Sequence, residues 1–111
     1  MTINKVDNIV KLAACICAQD GIISQTELDF MQKNVHVFDK VVDEKDFDNL
    51  IDTYFEEDKT VLDYCNKIDT SLDIDRILQF CLESASSDEL DPEENKAYQQ
   101  ARSYLKKRIK K

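Results

Sequence analysis

Apolar residues recur along this chain at the three- and four-residue spacing of helices, and short polar turns interrupt them. Ile3, Val6, Ile9, Val10, Ala13, Ile16 and Cys17 trace one helical face, with Thr2 placed to cap it and Gly21 placed to end it in the left-handed conformation. Ser24 with Glu27 three places on forms a capping box that opens a second helix through Leu28, Met31, Val35 and Phe38. Phe47, Leu50, Ile51, Tyr54 and Phe55 mark a third behind a cap at Asp43 or a neighbour. Thr60 opens a shorter fourth through Val61, Leu62, Cys65 and Ile68. Ser71 is placed to cap a fifth with Ile74, Ile77, Leu78, Cys81, Leu82 and Ala85. Asp91-Pro92-Glu93-Glu94 combines a capping acid, Pro at the first helical position and Glu at the third, and the last helix runs through Ala97, Tyr98, Ala101, Tyr104, Leu105 and Ile109. The spacing predicts helices over 3–19, 25–37, 43–56, 60–69, 72–86 and 92–109. No segment alternates with a period of two. The fold class is therefore all-α: a compact single-domain bundle of about six to seven helices.

The same punctuation occurs twice. Ala18-Gln19-Asp20-Gly21-Ile22-Ile23-Ser24-Gln25-Thr26-Glu27 is echoed 67 residues later by Ala85-Ser86-Ser87-Asp88-Glu89-Leu90-Asp91-Pro92-Glu93-Glu94. Each copy holds a small residue, a polar turn, one aliphatic residue, then Ser or Asp with Glu three places on. Two related helix-turn-helix units at the two ends of the domain imply an internal two-fold relation, with Ala18 and Ala85 expected at close helix contacts. Such a relation would bring the two acidic turns together.

Composition sharpens this picture at three points. The chain has 111 residues, enough for one domain with a modest core, and its single Gly and single Pro are too few to punctuate an all-β fold. Its formal net charge is −8, yet residues 102–111 hold Arg102, Lys106, Lys107, Arg108, Lys110 and Lys111 and no acid. Removing their +6 leaves −14 on the rest, which argues against a nucleic-acid-binding body. Cations in the last turns of a helix are favoured by its C-terminal carbonyls, and a basic tail also suits an acidic partner or a membrane surface. No apolar run is long enough to span a bilayer and the N-terminus lacks signal-peptide form, so a cytoplasmic chain is expected.

Two kinds of chemistry fall on spacing. Cys15 and Cys17 sit roughly 200° apart around a helix and cannot face one ion; with Cys65, Cys81 and a lone His36 they read as packing residues. No Ser-His-Asp or Cys-His arrangement and no Gly-rich phosphate loop occurs, so no enzyme is expected. An EF-hand reading of the first turn makes Gly21 the sixth loop residue and Glu27 the twelfth, but puts Ile16 and Ala18 at the first and third, where oxygen ligands are required. Neither copy is a calcium loop by itself.

The run Ala13-Ala14-Cys15-Ile16-Cys17-Ala18-Gln19-Asp20-Gly21-Ile22-Ile23-Ser24-Gln25-Thr26-Glu27 resembles the TerB-like family, the helical domains of tellurite-resistance proteins and of the N-terminal part of the membrane co-chaperone DjlA. Those domains share an Ala-rich first helix that enters Asp-Gly-x-Ile-Ser-x-x-Glu. They also share a similar turn before the final helix, which Ser87-Asp88-Glu89-Leu90-Asp91-Pro92-Glu93-Glu94 matches with Ser87 and Asp88 in place of Asp-Gly. The resemblance implies a non-catalytic domain in a stress-response assembly linked to metals or tellurite and to the membrane, with a protein partner.

Two functional readings stay open. Ser24, Glu27, Asp91 and Glu94 are accounted for as helix caps, whereas Asp20 and Asp88 sit near helix C-termini, where an acid opposes the dipole. If the turns pair, Asp20, Glu27, Asp88, Asp91 and Glu94 form an oxygen-rich site suited to a hard divalent cation, Ca²⁺ or Mg²⁺. Alternatively the turns only hold helices, and the bundle is a protein-interaction module (an adaptor or regulator). An exposed apolar patch with Tyr54, Phe55 or Tyr64 would favour that reading.

Overall fold

The computed structural model describes residues 3–21, 23–38, 42–69, 71–87 and 89–109, with side chains from Val6 onward except at Asp20. Six α-helices follow one another: α1 Ile3–Cys17, α2 Gln25–Asn34, α3 Glu44–Glu56, α4 Val61–Lys67, α5 Ile74–Ser86 and α6 Pro92–Ile109. Among the described residues there is no strand.

The first helix is the centre of the bundle. Helices α3, α4, α5 and α6 all pack against it, and every residue from Ile9 to Cys17 is buried. The apolar spacing marks only one face. The rest of the circumference is closed by Leu12, Ala14 and Cys15, and by Lys11, whose ammonium reaches Glu57. A helix apolar nearly all round belongs in a core. On the outside, α2 lies on α5, while α6 packs on α4 and α5.

Caps explain where most helices begin. Ser24 accepts from the Glu27 amide and Glu27 returns a bond to the Ser24 amide; Asp43 with Asp46 and Thr60 with Asp63 repeat the device. The fifth helix departs from expectation. Asp73, not Ser71, caps it by accepting from the Arg76 amide at 3.2 Å, so it starts at Ile74. Ser71 instead donates from both its amide and its hydroxyl to Asp69 Oδ1, at 2.9 and 2.7 Å, which shapes the preceding turn. The cap expected at Thr2 lies outside the described residues. Two helices end sooner than their apolar spacing implies, because their last turns tighten into 3-10 geometry over Ala18–Asp20 and Val35–Val37.

Burial follows the sequence repeat only in part: Ile9, Leu12, Ile16 and Val35 are buried, whereas Arg76, Gln79, Glu83 and Arg102 at the matching positions are exposed. At the 67-residue offset Val10 and Ile77, Ala14 and Cys81, Cys17 and Ser84, Glu27 and Glu94, and Met31 and Tyr98 are all buried. Ala85 is fully buried, whereas Ala18 is only half-buried. The turns themselves differ. Gly21 takes φ 105° and donates its amide to Ala18 O at 2.9 Å, ending the first unit as expected. In the second unit the left-handed residue is Glu89, at φ 65°, one place beyond the position that matches Gly21.

Candidate functional site

The two acidic turns are built as caps first. Glu27 Oε1 accepts from the Ser24 amide at 2.9 Å, and Ser24 Oγ accepts from the Glu27 amide at 3.1 Å. In the second turn Glu94 Oε1 accepts from the Asp91 amide at 3.0 Å, and Asp91 Oδ2 accepts from the Glu93 amide at 2.8 Å. Both glutamates are buried, Glu27 to 3% and Glu94 to 1% exposure, which is unusual for a carboxylate. The Ala18–Asp20 turn packs on α6, and Gln19 faces Glu93, Lys96, Ala97, Gln99 and Gln100 across a polar groove. The first turn and the N-terminal half of α6 are thus neighbours.

Of the five acids expected at a cation site, Glu27, Asp91 and Glu94 stand in these cap positions. The Asp20 side chain and the whole of Asp88 lie outside the described residues. Among the described residues no group of three or more His, Cys, Asp or Glu side chains converges as metal ligands do. The only described histidine interaction is structural: His36 Nε2 bonds the Val42 carbonyl at 2.7 Å.

The four cysteines are free and buried. Burial pushes the Cys65 thiol up to about 12 and raises those of Cys15 and Cys81 as well, so these groups stay protonated and unreactive at neutral pH.

A second surface is built on α3, which packs on α1 through the buried Phe47 and Ile51. One turn beyond Ile51 the same stripe emerges as Phe55, 62% exposed and the most exposed large apolar side chain among the described residues. The ring is held from beneath. Its centroid lies 5.4 Å from that of half-buried Tyr54, which lies 6.0 Å from that of fully buried Tyr64. Tyr64 in turn donates to Glu57 Oε1 at 2.8 Å, and Glu57 Oε2 pairs with Lys11 at 3.0 Å. Three rings therefore climb from the core to the surface, fixed at the base by a hydrogen bond and an ion pair. Of the three aromatics singled out in the sequence, Phe55 is the one exposed, and Tyr64 belongs to the core.

Acids run along α3 on one side of Phe55. Asp48, Asp52 and Glu56 are exposed and repeat every four residues along α3. Like charges at this spacing destabilise a helix by about 0.2–0.5 kcal/mol per pair. Glu56 also stands in the last turn, where no base balances it and the dipole disfavours an anion. Helix stability alone does not account for this stripe. The sequence signal was present as spacing, but it became legible only with the knowledge that this face is uncovered.

The basic C-terminal end is partly engaged. Lys106 pairs with Asp75, and Arg108 Nη1 donates to the Cys65 and Ile68 carbonyls at 2.6 and 2.9 Å. Arg108 thus caps the end of α4 rather than of its own helix. Arg102, Lys107 and Ile109 remain exposed. No helix among the described residues is long and apolar enough to cross a membrane. Comparison with protein-family models, curated proteins and solved structures gives no match.

Proposed function

We propose that this chain is a non-catalytic, TerB-like interaction module that binds a basic, apolar segment of a protein partner on the exposed face of α3. The observation that carries the reading is Phe55: a large apolar side chain, exposed, braced by Tyr54 and Tyr64, and flanked along α3 by the exposed Asp48, Asp52 and Glu56. Aromatic anchors held rigid before binding lose little entropy on contact, and surrounding charges steer a complementary partner. The resemblance of Ala13–Glu27 to TerB-like domains supports a place in a metal- or tellurite-linked stress-response assembly, with membrane association through that partner. The chain has no tryptophan, so Phe55→Trp puts a single reporter in the patch. Its emission should shift to the blue and saturate as a basic amphipathic peptide of Lys, Leu and Ala is added, and Asp52→Lys should abolish the response. An unchanged spectrum counts against the reading.

A second reading rests on a different observation, the burial of Glu27 and Glu94 beside a turn that packs on α6. In this reading Glu27 and Glu94 join Asp20, Asp88 and Asp91 in taking up Ca²⁺ or Mg²⁺. Thermal melting with and without millimolar Ca²⁺ or Mg²⁺ tests it, since a ligand that binds only the native state raises the midpoint.

A further inference from the structure

The chain carries both halves of the contact proposed above. Arg102, Lys106 and Ile109 fall at i, i+4 and i+7, on one stripe of α6, and Ile109 is 44% exposed at its end. This is a basic surface with an apolar tip, the complement of an acidic surface with an aromatic one. Within one bundle α3 packs on α1, while α6 packs on α4 and α5 and less extensively on α1. The basic end is also held in place, by Lys106 on Asp75 and by Arg108 on the Cys65 and Ile68 carbonyls. Both partners of the contact are thus ordered before they meet, which lowers the entropy lost on association.

We propose that the occupant of the α3 face is a second copy of this chain, whose α6 end sets Ile109 against Phe55 and Arg102 against Asp48 and Asp52. The inference rests on the reading of α3 as a docking face. Because donor and acceptor surfaces differ, the contact is head-to-tail, and each added copy leaves one of each free. Assembly therefore continues past a dimer unless the rotation closes a ring. The contact is small and charge-rich, so it is weak and falls away with salt.

Sedimentation velocity on the full chain at low salt should show a mean mass that rises with concentration, and 0.5 M NaCl, where the Debye length is about 4 Å, should return it to the monomer. Two variants should each stay monomeric at low salt while melting like the parent: Phe55→Ser with Asp52→Lys, and Arg102→Glu with Ile109→Ser. Mixed in equal amounts they should form a complex that stops at two chains, since each supplies the surface the other lacks. A parent that stays monomeric throughout, a variant that associates as the parent does, or a mixture that forms no dimer overturns the proposal. The Phe55→Trp titration with the basic peptide separates the two claims. A monomeric parent with a responding reporter removes self-association alone, and a silent reporter removes the docking face with it.

Discussion

Lys11 Nζ donates to Glu57 Oε2 at 3.0 Å, joining the buried central helix to the connection between α3 and α4. Lys11 is only 7% exposed, so its ammonium depends on that carboxylate. Replacing Glu57 with Ala should cost about 1–3 kcal/mol in urea denaturation, because a buried donor loses its partner. Glu57→Gln keeps an acceptor and should cost less. A Glu57→Ala variant as stable as the parent would show that solvent satisfies Lys11.

The same pair sets a pH dependence. Burial works against ionisation of Glu57, but hydrogen bonds from Lys11 and Tyr64 outweigh it and hold its carboxyl below the ordinary value of 4.5. A depressed folded value means that the stabilisation is complete above pH 4.5 and is lost as pH falls through the lower folded value. Asp7 acts oppositely: burial raises its carboxyl, partly offset by Lys11, so its unfavourable burial is relieved by protonation. The parent midpoint should fall more steeply below pH 4.5 than that of Glu57→Gln, which lacks the titrating group. Parallel acid profiles would contradict the assignment.

The buried thiols give a test of the core. In the native chain all four cysteines should react very slowly with a thiol reagent at pH 8, and all should react in denaturant. Burial raises Cys65 from 9.0 to about 12, so native stability should also decline as pH rises above 9.0, where the unfolded thiol ionises. A thiol that reacts rapidly in the native chain would place it at the surface.

Glu89 holds a conformation that Gly21 holds without penalty. A non-glycine residue in the left-handed region costs about 1–2 kcal/mol, so Glu89→Gly should stabilise the chain by roughly 1 kcal/mol. Gly21→Ala should destabilise it by a similar amount through backbone strain alone, because a Cβ there meets nothing within 4 Å. Chemical denaturation of both variants measures the pair.

Glu27 separates capping from cation binding. Glu27→Gln preserves an acceptor for the Ser24 amide and should change stability by less than about 1 kcal/mol, whereas Glu27→Ala loses the cap and should cost more. If the acidic turns bind a divalent cation, millimolar Ca²⁺ or Mg²⁺ should raise the midpoint of the parent and not that of Glu27→Gln. Equal responses of the two would remove Glu27 from any such site.

Local signals made most of the fold legible. The capping pairs Ser24–Glu27, Asp43–Asp46 and Thr60–Asp63 act within three residues, so sequence spacing alone identifies their helices. The fifth helix was harder, since Ser71 and Asp73 both suit a cap and the choice depends on Asp69 engaging Ser71. Long-range relations were invisible. Nothing near Lys11 in sequence announces Glu57, and nothing near Arg108 announces the Cys65 and Ile68 carbonyls. The acidic turns were legible as a repeat, and their caps follow from it. The α3 face was legible only as a choice among Tyr54, Phe55 and Tyr64, because Phe55 continues the apolar stripe of Phe47 and Ile51 and reads equally as core until the edge of α1 is known.

The most direct test of the docking face is an amide chemical-shift map of the parent chain titrated with the basic amphipathic peptide, because it needs no substitution and reads the whole backbone at once. Saturable shifts should gather on Asp48–Glu57 and the adjoining start of α4, and leave Ser24–Glu27 and Asp91–Glu94 unmoved. Shifts confined to those two acidic turns, or no shift at all, would contradict the account.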